Sequence, residues 1–141
     1  MSKFKFTLEK VLRIREFEEE QAKVELGKAI QETERIKRTL EYIARQRVKT
    51  NNDLSTTIDI MELQSYQNYI FGLDAQKNQL LEDLAKAELV VEEKRFVLTE
   101  AMKKRKALDK MKEKQLDQFK KDQERIEENF LDDMQKKKTS I

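Results

Sequence analysis

Carboxylates and amines dominate the side chains that could do chemistry in this chain. Asp and Glu number 28, Lys and Arg 30, and there is no His and no Cys. Paired carboxylates are the raw material of general acid–base catalysis, and the acidic block Glu16, Glu18, Glu19 and Glu20 supplies them in quantity. Such groups work only in a concave, partly dry site that shifts their proton affinity. Without Cys or His there is no zinc site of the usual kind, no thiol nucleophile, no disulfide framework and no imidazole base. The two separated glycines, Gly27 and Gly72, cannot form a phosphate-cradling loop. No cofactor and no metal are expected, and no enzymatic activity.

The elements that carry these side chains follow from what the chain lacks. Its 141 residues include no Pro and only two Gly, and 41% are charged with a net of +2. A β-rich or α/β domain needs many turns, which Gly and Pro mostly make. Hydrophobic residues are 38%, below the roughly 45–50% of an ordinary globular domain. Balanced, dense charge suits long helices laced with ion pairs and is not a nucleic-acid signature. Apolar runs are only a few residues long, as at Leu89–Val91, so direct membrane insertion is not expected. The opening MSKFKFTLEK has no apolar core of a secretory signal, and the absence of Cys fits the cytoplasm.

Sustained apolar periodicity separates this composition from disorder. At alternating spacings of three and four, the first stripe runs Leu8, Leu12, Arg15, Glu19, Ala22, Leu26, Ala29, Thr33, Ile36, Leu40, Ile43, Arg47, with eight of twelve positions apolar. The second runs from Leu63 through Tyr66, Ile70, Leu73, Lys77, Leu80 and Leu84 to Leu108, with eleven of fourteen apolar. Seams of this length indicate a coiled coil. Beyond Leu108 the seam weakens through Lys112, Gln115, Phe119, Asp122 and Ile126, and Phe130 and Met134 leave the register. Between the stripes, residues 50–57 are cap and turn formers, which predicts a helix break. Asp59 followed by Glu62 reads as a capping box opening the second helix.

Two stripes separated by a break predict an all-α fold: a long antiparallel two-helix coiled-coil hairpin, monomeric on its own. The expected organisation is a single domain over 1–141, with a first arm at about 5–50, a tip at about 51–72, and a second arm with overhang at about 73–138. Two fold-back points compete. Centred near residue 55, the hairpin sets Glu19 against Val91. Centred near residue 62, it sets Glu19 against Arg105, Leu26 against Leu98 and Leu40 against Leu84, and brings the acidic block to the basic run Lys103, Lys104, Arg105, Lys106. The second register is preferred, because seam-flanking charges set register through the cost of mismatches.

Several groups carry two readings. The basic residues Lys103, Lys104, Lys106 and Lys110 either complement the acidic block or meet an acidic partner. Tyr42, Tyr69 and Phe71 fall off the seam near the tip and either pack there or form a binding surface. Phe4 and Phe6 either staple the first helix or dock into a partner. Phe119, Ile126, Phe130, Leu131 and Met134 lie beyond the reach of the first helix, and this stretch either orders on a partner or frays.

The opening Phe4-x-Phe6-x-Leu8-x-x-Val11-Leu12-x-x-Arg15, followed by Glu18, Glu19 and Ala22, resembles the start of the flagellar FliJ family. The run from Glu92, Arg95, Leu98 and Ala101 into Arg105-Lys106-Ala107-Leu108 and Lys110-Met111-Lys112-Glu113-Lys114 resembles that family's C-terminal half. The resemblance implies a hairpin similar to the two-helix shaft of the rotary ATP synthase gamma subunit. It implies a soluble stalk in the flagellar type III export apparatus, serving motility and chemotaxis from the cytoplasmic face of the inner membrane at the flagellar base. The implied partners are the hexameric export ATPase, whose assembly and activity it promotes, the export gate membrane protein, and substrate-specific export chaperones. Within that role the charge and placement of the residues, with no residue carried over from the family, lead to the expectation that the lysines 103, 104, 106 and 110 meet the ATPase ring, and Tyr42, Tyr69 and Phe71 the gate. A generic cytoplasmic coiled-coil scaffold, or an injectisome or peripheral stalk protein, is the competing reading.

Overall fold

A computed structural model describes residues 2–139. It contains two helices, α1 (Glu9–Thr56) and α2 (Ile60–Thr139), packed against each other as an antiparallel hairpin, with no strand among the described residues. Glu9 in the first turn of α1 and Lys136, Lys137 and Lys138 in the last turn of α2 each oppose the local end of the helix dipole.

The break between the helices is shorter and later than the turn-forming residues suggest. α1 continues through residues 50–56, and between the two helices only residues 57–59 are non-helical. The hydroxyls that could have capped a new start turn back onto their own helix. Thr50 Oγ1 donates to the Gln46 carbonyl at 2.8 Å, Ser55 Oγ to that of Asn52 at 2.7 Å and Thr56 Oγ1 to that of Asp53 at 3.0 Å. Thr50 is also buried, so packing favours the helical alternative. Asp59 then caps α2: its carboxylate accepts from the Met61 amide at 3.0 Å and its carbonyl from the Leu63 amide at 3.0 Å. The reciprocal half of a capping box is replaced, because the Glu62 carboxylate accepts from the Thr57 hydroxyl at 2.6 Å and so ties down the connection.

Contacts divide the chain into two compact units. Unit 1 comprises Met1–Gln21 and Thr99–Ile141. In it, Phe6, Leu12 and Ala101 are buried, and Phe6 accepts the Glu9 amide at its carbonyl. The Phe4 ring lies 5.6 Å from that of Phe119, tilted by 53°. Both N-terminal phenylalanines are thus engaged within the chain. Lys112 pairs with Glu9 at 2.9 Å, and Gln123 donates to Ser2 at 3.0 Å. The seam drifts in this stretch: Gln115 is exposed and Leu116 takes the half-buried place. A straight helix of 3.6 residues per turn rotates away from a strict seven-residue repeat in this way. Residues 124–139 are helical and exposed throughout.

Unit 2 is Ala22–Leu98. Its buried apolar residues are Ala22, Ile36, Ile43, Leu73 and Val91, joined by Thr33, whose hydroxyl is satisfied by the Ala29 carbonyl at 3.1 Å. Among the described residues of the chain no large side chain is completely buried. That is the ordinary consequence of a core built from two helices, each with one facing neighbour.

Both glycines sit inside helices, and a Cβ added at either meets nothing within 4 Å. Neither has a positive φ. Gly27→Ala and Gly72→Ala should therefore each stabilise the hairpin by about 1 kcal/mol, read as a higher urea midpoint with an unchanged slope.

Candidate functional site

Glu19 and Arg105 meet across the helix pair in unit 1. Arg105 Nε donates to Glu19 Oε2 at 2.6 Å and Nη2 to Oε1 at 3.3 Å, while Nη1 donates to Asp109 at 2.8 Å. Glu19 is only 6% exposed. The two carboxylates raise the Arg105 proton affinity, chiefly through the Glu19 hydrogen bond, and lock the guanidinium in its charged form. A fork held on two sides and shielded by the seam is an element of the fold and is not offered to a partner.

The rest of the acidic block does not follow Glu19 across. Glu18 accepts from Arg15 on its own helix at 3.1 Å, and Glu16 and Glu20 are exposed. Lys103 pairs with Glu100, one turn back, at 3.3 Å. Lys104, Lys106 and Lys110 are exposed and make no ion pair within the described residues. Lys103, Lys106 and Lys110 recur at spacings of three and four, which places them in one stripe along α2. Lys110 also lines a shallow furrow of about 470 Å³ with Lys114, Leu116 and Lys120, where Glu113 and Asp117 temper the charge.

Unit 2 holds the aromatic candidates. Tyr42, Tyr69 and Phe71 are all exposed, Phe71 by 73%. Two residues apart on a helix is about 200° of rotation, so Tyr69 and Phe71 face different flanks of α2 and do not form one patch. Sequence reasoning passed over three aliphatic side chains at the interhelical connection. Ile58 is 98% exposed, and Ile60 and Met61 each 79%. Their signal was present: they fall between the two stripes and fit neither. Asp53, Asp59 and Glu62 stand beside them in the sequence, so this end of unit 2 is apolar with an acidic surround.

Arg47 and Asp74 form the cross-helix pair of unit 2, with Nε donating to Oδ1 at 2.8 Å and Nη2 to Oδ2 at 3.2 Å. The hydrogen bond from Arg47 holds the Asp74 carboxyl below the usual aspartate range. A depressed folded-state pKa stabilises above the unfolded value, and that contribution disappears as the pH falls through the folded value. The stability difference between the chain and its Asp74→Asn variant, followed by circular dichroism, should therefore be present near neutrality and vanish in acid below the ordinary aspartate range. Both side chains are substantially exposed, so added salt should shrink it.

No group of three or more potential metal ligands exists among the described residues, and no helix is long and apolar enough to cross a membrane. What the surface offers is contact area: a lysine stripe in unit 1 and exposed aromatic and aliphatic side chains in unit 2. The model of the family described as "Flagellar FliJ protein" matches residues 4–138, nearly the whole chain and every residue named above as a candidate. The chain belongs to the flagellar FliJ family. No curated protein and no solved structure matches it. As a FliJ-family member it is a flagellar, export-related protein, and its family is a non-catalytic component of that export system.

Proposed function

We propose that this FliJ-family chain is the central stalk of the flagellar type III export apparatus, promoting assembly and activity of the hexameric export ATPase and coupling it to the export gate. It also escorts substrate-specific export chaperones and works at the cytoplasmic face of the inner membrane, at the flagellar base. The observation that carries this reading is the family match over residues 4–138 of a two-helix hairpin. The surface supports a division of labour. Unit 1 contains the stripe of Lys103, Lys106 and Lys110 with Lys104 beside it, in which only Lys103 has a carboxylate partner, Glu100 on its own helix, a stripe suited to acidic walls of a ring. Unit 2 contains the interhelical connection and the exposed Tyr42, Tyr69 and Phe71, suited to the gate.

The test is an ATPase titration on the purified export ATPase, paired with a binding assay on the cytoplasmic part of the gate protein. The stalk reading requires stimulation of turnover at substoichiometric chain per ATPase subunit, together with gate binding. Absence of both would favour a scaffold coiled coil. Stimulation of an injectisome ATPase in preference to the flagellar one would move the chain to that system.

A further inference from the structure

Unit 2 has two furrows on a single flank of its helix pair. One, of about 360 Å³, is lined by Leu40, Ala44, Val48 and Leu81, with Arg47 and Lys77 at its edge. The other, of about 390 Å³, is lined by Ile30, Val91, Glu34, Glu88 and Glu92, with Lys37 and Arg95. They share the flank because Ile30, Lys37, Ala44 and Asn51 recur every seven residues on α1, and Leu81, Glu88 and Arg95 on α2. Val48 and Leu81 leave apolar surface in water here, at 61% and 45% exposure.

We propose that this flank is the contact surface for a second copy of the same chain, which packs on it antiparallel about a two-fold axis to form a local four-helix bundle. The charges select that occupant. In the first furrow Arg47 is already bound to Asp74, outside the lining, which leaves the positive Lys77. The second furrow carries three carboxylates against two cations. A copy turned end for end lays each furrow on the other kind, so one symmetric contact satisfies both at once.

The register is equally self-complementary. Thr33 and Val91 line the same furrow, and in an antiparallel pair this sets residue 39 of α1 across from Ala85 of α2. An axis passing there places Lys77 opposite Glu92 of the second copy and Asp74 opposite Arg95. On α1 it places Val48 opposite Ile30 and Lys37 opposite Glu41. The small Ala85 falls on the axis itself, where two helices must approach most closely. The pairs already present in one copy, Lys37 with Glu34 at 3.6 Å and Arg95 with Glu92 at 3.9 Å, are loose and exposed, so they can exchange partners. A second hairpin covers both furrows and gives the two-helix core the second layer it lacks. The pairing replaces the expectation of a monomer for the chain apart from its partners, and it does not depend on the stalk reading.

The test uses the full chain alone. Sedimentation velocity from micromolar to millimolar concentration should show a monomer–dimer equilibrium. Because the chain has no Cys, Ala85→Cys should yield a disulfide-linked dimer on mild oxidation, while Asn51→Cys, far from the axis on the same flank, should not. Leu81→Glu should weaken the dimer at least about 10-fold with helicity unchanged. Lys77→Glu should weaken it about 10-fold, and adding Glu92→Lys should restore it. A monomer at every concentration, cross-linking through Asn51→Cys in place of Ala85→Cys, or a charge swap without rescue would each overturn the proposal.

Discussion

Glu19→Lys should lower the thermal midpoint of helix unfolding by roughly 10 °C, and adding Arg105→Glu should recover most of the loss. The size follows from location. Arg105 reaches Glu19 through two nitrogens, and the Glu19 side chain is only 8% exposed. A lysine there sets two cations face to face inside a seam, where water screens them poorly and neither long side chain can swing clear. The effect should persist in high salt, which separates it from the exposed pairs of α1, such as Arg35 with Glu32 at 2.6 Å. Rescue should be incomplete, because Asp109 stays beside position 105 and would face a new carboxylate. Replacing both Glu19 and Arg105 by Leu should leave the hairpin at least as stable as it began, since an apolar seam avoids the desolvation cost of the ion pair. A single variant that melts with the parent chain would reduce the pair to a surface contact.

Reversing the four lysines, as Lys103→Glu, Lys104→Glu, Lys106→Glu and Lys110→Glu together, should cost about 100-fold in half-maximal stimulation of the export ATPase while leaving gate binding intact. Exposed charges act mainly on association rate and orientation, so the parent chain's stimulation should itself weaken with ionic strength, and the variant's residual activity should not. Tyr42→Ser, Tyr69→Ser and Phe71→Ser together should do the opposite, sparing stimulation and lowering gate affinity at least about 10-fold. Aromatic anchors act through desolvated contact, which salt scarcely touches. Because Tyr69 and Phe71 face different flanks, a single gate segment cannot engage both side by side. The single variants should therefore divide unequally, with one dominant. Equal loss in both assays from either set would point to misfolding or to a shared surface, and would end the two-site reading.

The helices themselves were legible because their cause is local. A 3–4 apolar rhythm over tens of residues, unbroken by Pro, allows little else, and Gly72 lies within α2 without interrupting it. The limits of α1 were less so. Residues 50–56 can cap a new helix or extend an old one through the same hydroxyls, and the burial of Thr50 tips that balance. Sequence reading also treated the acidic block and the basic run as facing sets, whereas a single cross-helix pair, Glu19 with Arg105, joins them. Neighbouring charges on a helix point in different directions, so proximity in sequence does not put Glu16, Glu18 or Glu20 at the seam. The pairing of Glu9 with Lys112 left no such trace, because it depends on how far the first helix reaches along the second.

Composition and periodicity alone determine that this chain is a pair of long helices with neither His nor Cys, since both depend on which residues are present and how they are spaced. Only the tertiary structure decides which side chains stay in water. Lys104, Lys106 and Lys110, the aliphatics Ile58, Ile60 and Met61, and the furrowed flank of Val48 and Leu81 owe their availability to what the opposite helix does or does not cover. Coverage is a property of two segments in register, and no single stretch of sequence contains it.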